Sequence, residues 1–213
     1  MFAYALHWME CSDMNAMMAR DNESVRPATP VFCVEDQRDI AGSLQGDGEA
    51  YARLVRRYQG EIARQMGRFT RDRAVLEELV QEVFVEAYMS LPGYKQKAPF
   101  LHWLRRIATR TGYRHWKKTA RQWKENVELS DTLADPKVYS EPSEAAEYLY
   151  GLLEQLNPAD RLVLTLLYFE ECDTYEIAER MGWSRTLVKV RAFRARNHLR
   201  NLLEQAGFRK EAV

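Results

Sequence analysis

Apolar residues recur every three or four positions along most of this chain, and nowhere do they alternate with polar ones over the length of a strand. The spacing predicts a short helix over 35–45, with Ile40, Ala41 and Leu44 inward and Gly46 ending it. Asp47 is placed to cap a second helix, which runs to about Phe69 with Tyr51, Leu54, Val55, Tyr58, Ile62 and Met66 on one face. A third begins near Asp72 and carries Leu76, Leu79, Val80, Val83, Phe84, Ala87 and Leu91 as a continuous stripe. Pro92-Gly93 breaks it. Pro99 suits the first turn of a fourth helix, where Phe100, Trp103, Leu104, Ile107 and Thr111 point one way. Further on, Pro142 and Ser143 open a helix with Ala146, Leu149, Leu152, Leu153 and Leu156. Asn157-Pro158 starts another, with Leu162, Val163, Leu166 and Leu167.

The most informative stretch is 173–203. Asp173 with Glu176 three residues on has the form of a capping box, and Ile177, Ala178 and Met181 make a small apolar face. Gly182 permits a tight corner. Ser184 can cap a last helix whose inward positions are Val188, Ala192, Ala195, Leu199 and Leu202. From 184 to 203 there are six cations, Arg185, Lys189, Arg191, Arg194, Arg196 and Arg200, and no acid. A short helix, a corner and a basic second helix outline a helix-turn-helix, whose second helix lies in the DNA major groove. A solvated basic hairpin is the bland alternative. The two caps, the corner glycine and the single-signed charge favour the DNA reading.

Charge sharpens the picture. Lys plus Arg equals Asp plus Glu at 31 each, but the signs are segregated. Residues 101–124 hold eight cations and no acid, and 125–147 hold seven acids against Lys137. Around the first basic block, Tyr113, Trp116 and Trp123 interleave with Arg105, Arg106, Arg110, Arg114, Lys117, Lys118, Arg121 and Lys124, a pattern suited to opened nucleic acid. Trp103, in register with Ile107, reads as core. The third helix turns Glu77, Glu78, Gln81, Glu82, Val85 and Glu86 outward: a solvated surface, or a docking face for a basic protein.

Several classes are set aside. The four histidines are scattered, with no carboxylate pair or nucleophile–base set, so an enzyme is not expected. Cys11, Cys33 and Cys172 are widely spaced without a CxxC, as in a reducing cytoplasm. The N-terminus lacks the form of a signal peptide, and no segment reads as membrane-spanning. His7 and Cys11 fall four apart with Cys33 as a distant third, too little to define a metal site, so no metal or cofactor is expected. The fold class is all-α. The expected layout is a mobile arm over 1–34, a helical domain over 35–124, a flexible acidic linker over 125–141, a helix-turn-helix domain over 142–207 and a tail over 208–213.

Three segments of the first domain (GDGEAYARLVRRY, LVQEVFVEAY, FLHWLRRIA) and three of the second (LNPADRLVLTLLYFE, TYEIAERMGWS, VKVRAFRARNHLR) stand in an order and spacing that resembles bacterial sigma factors of the extracytoplasmic-function type. The resemblance covers about 35–203. It implies a chain that binds core RNA polymerase and directs promoter recognition, strand opening and initiation. Glu78, Gln81, Glu82 and Val85 would dock on the beta-prime clamp coiled coil, and the beta flap would be a second polymerase contact. The minus-ten element, partly single-stranded, would meet Tyr94, Lys95, Arg106, Arg110, Tyr113, Arg114, Trp116, Lys117 and Lys118. The duplex minus-thirty-five element would meet Thr174, Tyr175, Ser184, Arg185, Thr186, Lys189, Arg191 and Arg194. An anti-sigma factor is an implied partner. Two departures stand out: Arg110 and Arg114 occupy places where the family often has Asn and Asp, and Thr186-Leu187 replaces its usual Gly-Thr. The alternatives are a conventional helix-turn-helix regulator and a sigma-like adaptor that opens no promoter.

Overall fold

The computed structural model describes residues 32–126 and 144–207. The arm with His7 and Cys11, most of the acidic connector and the tail lie outside the described residues. The described residues form eight α-helices and one 3-10 turn, with no strand among them. In order these are α1 (Val34–Leu44), α2 (Gly48–Met66), α3 (Arg73–Ser90), the turn Leu91–Gly93, α4 (Phe100–Asn126), α5 (Glu144–Glu154), α6 (Pro158–Tyr168), α7 (Thr174–Met181) and α8 (Arg185–Gln205). The all-α reading holds.

Local chemistry sets the helix starts. The Asp47 carboxylate accepts from the Glu49 and Ala50 amides at 2.9 and 3.2 Å, and Asp72 does the same for Ala74 and Val75 at 2.8 and 3.3 Å. Asn157 caps α6 through the Asp160 amide at 3.0 Å, with Pro158 in the first turn. Leu54, Ile62, Met66, Val83, Ala87 and Leu104 are completely or almost completely buried between α2, α3 and α4.

Helix α1 departs from its predicted face. Leu44 points outward and is half exposed, whereas Asp36, Asp39, Ile40 and Ser43 are buried. Carboxylates can sit inward because α2 answers them. Arg53 Nε meets Asp39 at 2.8 Å, and Arg57 bridges Asp39 at 2.9 Å and Asp36 at 2.5 Å. Tyr58 also donates to Asp36. Burial pushes the Asp39 carboxyl up, but its hydrogen bonds to Arg53 and Arg57 outweigh this and hold it below its ordinary value of 3.8.

Helix α4 packs on α2 and α3, with one particularly close approach at Gly112. The space above Gly112 is filled by the Phe69 ring: a Cβ there would stand 2.4 Å from two of its carbons. Beside it, Trp116 packs on Phe69 with ring centroids 4.6 Å apart, and its Nε1 donates to the Phe69 carbonyl at 2.7 Å. The other side of α4 packs on α6 and α7, so buried residues from both halves of the chain join one core cluster.

Two outcomes are expected. Gly112→Ala overpacks the Phe69 contact and lowers unfolding stability by about 2 kcal/mol, read by urea denaturation. Asp39→Asn lowers stability at neutral pH by about 2 kcal/mol, because it removes the charge partner of two guanidiniums. The Asp39 carboxyl is depressed in the folded chain, so its contribution is present above pH 3.8 and is lost as pH falls through the lower folded value. The gap between variant and parent should therefore narrow on acidification below that point.

Candidate functional site

Three surfaces carry the predicted site residues. The first is the outer face of α3. Glu78, Gln81, Glu82 and Val85 are all exposed there, Val85 to 63%, and Met89 continues the row one turn further at 75%. Tyr88 and Leu44 lie beside Met89 around a shallow pocket lined by Ser43, Gly46, Leu91 and Pro92. Sequence reading missed Met89, although its spacing from Val85 puts it on the same face. The acidic part of the row is partly engaged. Arg114 meets Glu82 at 2.9 Å and Glu86 at 2.6 Å, and Thr111 donates to Glu86 at 3.1 Å. The Arg114 hydrogen bond outweighs desolvation and holds Glu86 below the usual carboxylate range.

The second surface is the loop after α3 and the basic side of α4. Lys95, Lys117 and Lys118 are exposed. Tyr94, half-buried, packs at a tilt on Trp103 at 4.9 Å and edge-on to Phe100 at 5.7 Å, and its hydroxyl donates to the Ala98 carbonyl at 2.5 Å. Burial raises that phenol to about 12. Trp116 is corrected: it is 5% exposed, bonded to Phe69 and covered by the Arg161 guanidinium 4.1 Å above its ring, so it offers no face to a base. The exposed ring among these cations is Trp123, at 56%.

Much of this side of α4 faces the second half of the chain. Arg106 pairs with Glu179 on α7 at 3.1 Å, and Arg110 Nε donates to the Arg180 carbonyl at 3.1 Å. Tyr113 meets Trp183 edge-on, with centroids 6.0 Å apart. Arg68, which follows α2, pairs with Glu170 at 2.5 Å, and Arg71 lies 4.2 Å over the Tyr150 ring. Arg106 and Tyr113 are thus partly covered by α7, whereas Arg110 remains exposed.

The third surface is the helix-turn-helix, α7 and α8. The capping box forms as the sequence implies. The Glu176 amide donates to Asp173 at 2.7 Å, and the Asp173 amide donates to the Glu176 carboxylate at 3.1 Å. Gly182 takes the left-handed conformation at φ 68°, and the Ser184 hydroxyl accepts from the Leu187 amide at 3.2 Å. Val188, Ala192 and Ala195 are buried. Arg191 fixes the helix on α6 through buried Asp160 at 3.1 Å and lies over Trp183. Tyr175, Ser184, Arg185, Thr186 and Arg194 are exposed, and Lys189 is half-exposed. Thr174 is corrected: at 3% exposure it packs inside the motif and cannot touch DNA. The outer face also shows Leu187, Val190 and Phe193, which the sequence reading passed over.

An acidic-faced helix, a basic aromatic helix and a capped helix-turn-helix in this order have the outline of a two-part nucleic-acid-binding subunit. The sigma-70 region 2 family matches residues 54–122, and the sigma-70 region 4 family matches 146–199. The chain is 28% identical over 181 residues to the ECF RNA polymerase sigma-E factor of Haemophilus influenzae, covering 79% of this chain and 95% of that one. It is 27% identical over 186 residues to the RNA polymerase sigma-H factor of Pseudomonas aeruginosa, covering 80% and 94%. Its fold is like that of the sigma factor RpoE from Bartonella quintana, solved with the anti-sigma factor NepR: TM-score 0.55, 18% identity, 72% of this chain and 96% of that one. The chain belongs to the extracytoplasmic-function sigma factors of RNA polymerase, which direct transcription initiation.

The seam between the halves is testable. Replacing Arg106 and Tyr113 together by Ala removes an exposed ion pair and an aromatic contact, about 1.5 kcal/mol in sum. The open fraction should rise about tenfold, seen as a larger radius of gyration in solution scattering at moderate salt.

Proposed function

We propose that the chain divides a promoter between its two cationic helices while α3 holds the polymerase. Helix α8 enters the major groove of the duplex minus-thirty-five element. There Ser184, Arg185, Thr186 and Lys189 approach base edges, Tyr175 on α7 and Arg194 further along α8 meet the backbone, and Arg191 holds the helix in place. The loop after α3 and helix α4 meet the minus-ten element. Lys95, Lys117 and Lys118 stand ready for phosphates, and Tyr94 and Trp123 offer rings against unstacked bases, each stack contributing about 1–3 kcal/mol. The observation that carries this reading is α8 itself, a capped helix with a buried apolar side and an outer side rich in cations and without an acid between 184 and 203.

On this reading the polymerase clamp packs against Glu78, Gln81, Glu82, Val85 and Met89. The units are 35–124 and 142–207, and the acidic stretch between them lets them part. Polymerase and promoter together separate α4 from α7, which frees Arg106, Arg110 and Tyr113 for the strand. The beta flap is a contact of the second unit. The complex of the similar RpoE with NepR supports an anti-sigma partner here too. The chain itself makes and breaks no bond: it lends selectivity to the polymerase, in the cytoplasm where that enzyme works. No helix among the described residues is long and apolar enough to cross a membrane.

Runoff transcription with core polymerase on genomic DNA tests the reading. Start sites that depend on this chain are expected, whereas a chain that binds core without producing them is an adaptor. Glu78→Lys with Gln81→Lys should weaken core binding about tenfold or more, by like-charge contact with a basic clamp. Neither side chain has a fold contact in the acidic row tied to Arg114, so thermal stability should stay unchanged. Unaltered core affinity would place the polymerase contact elsewhere.

A further inference from the structure

The recognition helix is not uniformly polar on its outer side. Val188, Ala192 and Ala195 are fully buried and define its inward direction. Val190 lies two residues from both Val188 and Ala192, about 200° around the helix from each, and so faces directly away from the core. It is 40% exposed, and Leu187, one turn before it on the same side, is 37% exposed. Thr186 stands four residues before Val190 and Arg194 four residues after, all in one row. Lys189 and Arg191, its chain neighbours, stand about 100° to either side. The helix packs on α5, α6 and α7, where its buried positions lie. The outer face therefore carries a short apolar strip, Leu187 and Val190, between Thr186 and Arg194, with Lys189 on one margin, whereas Arg191 on the other is turned back to Asp160. A major groove offers such a face a floor of base edges between two phosphate walls.

A valine at the centre of that strip cannot hydrogen-bond. Set against a base-edge donor or acceptor, it would strip that group of water and return nothing. The one apolar group on the floor of the groove is the thymine C5-methyl.

We propose that Val190, flanked by Leu187, is a specificity-determining residue that selects thymine in the upstream promoter element by contact with its methyl group. The choice is steric and apolar, made by side chains that carry no charge. It is separate from the contribution of Arg194, which meets the backbone of duplex DNA of any sequence. The inference rests on α8 lying in the groove, as proposed above.

The test uses the full chain bound to core polymerase. Duplexes randomised over the upstream element are selected for binding, and each thymine common to the selected sequences is then replaced singly by deoxyuridine, which removes only the methyl. At one or two positions the replacement should weaken binding about fourfold, the value of one buried methyl-sized group. Val190→Ser should bring that thymine-to-uracil ratio to about one, with the salt dependence of binding and the thermal midpoint of the protein unchanged. Selected elements without a common thymine would overturn the proposal. So would indifference to uracil at every position, or a ratio that survives in Val190→Ser. A complex that enriches no duplex sequence at all overturns the reading of α8 as the groove helix, and this inference with it.

Discussion

Everything in this molecule depends on how α4 is held. A helix of 27 residues with apolar, basic and aromatic positions all round cannot bury a single stripe. One side packs on α2 and α3, with a close contact of Gly112 and Trp116 on Phe69 in the turn between those two helices. The other side closes on α6 and α7, where Arg161 covers Trp116 and Trp183 meets Tyr113. Because the Phe69 contact has no slack, the rotation of α4 is set, and with it the direction of every cation along the helix. Backbone approach at a glycine is a sharper constraint than any of the exposed ion pairs around it.

Those ion pairs explain how a chain of zero formal charge keeps nucleic-acid-binding surfaces. Several cations are matched to acids of the same chain: Arg114 to Glu82 and Glu86, Arg106 to Glu179, Arg191 to Asp160. Three of these four pairs are half-exposed and contribute little, about 0–1 kcal/mol each. Arg106 and Arg114 can therefore leave their carboxylates at small cost. Asp160 is different: it is buried, so Arg191 is better placed to hold α8 than to leave it. One residue type thus serves as a releasable contact in one place and as a structural pin in another, according to the burial of its partner.

The same comparison shows why some site residues were legible in the primary structure and others were not. Asp173, Glu176, Gly182 and Ser184 act within a few residues of themselves, so spacing sufficed to place the corner. The acidic row on α3 followed from helical periodicity. Trp116 and Thr174 misled because exposure is not a local property: each sits among polar neighbours and is buried by segments tens of residues away or by its own motif. Helix α1 misled in the opposite sense. Asp36 and Asp39 look solvent-facing until Arg53 and Arg57 on the next helix are seen to answer them.

By itself the amino-acid order determined the helices found among the described residues, the caps at Asp47, Asn157, Asp173 and Ser184, the corner at Gly182, the segregation of charge and the family. These depend on short-range backbone hydrogen bonding and a 3.6-residue repeat, both written in adjacent residues. Only the tertiary structure decided which rings are core, which carboxylates are inward, and that α7 lies across the basic side of α4. Those are outcomes of long-range packing, in which a side chain's surroundings are supplied by residues far along the chain and no local period records them.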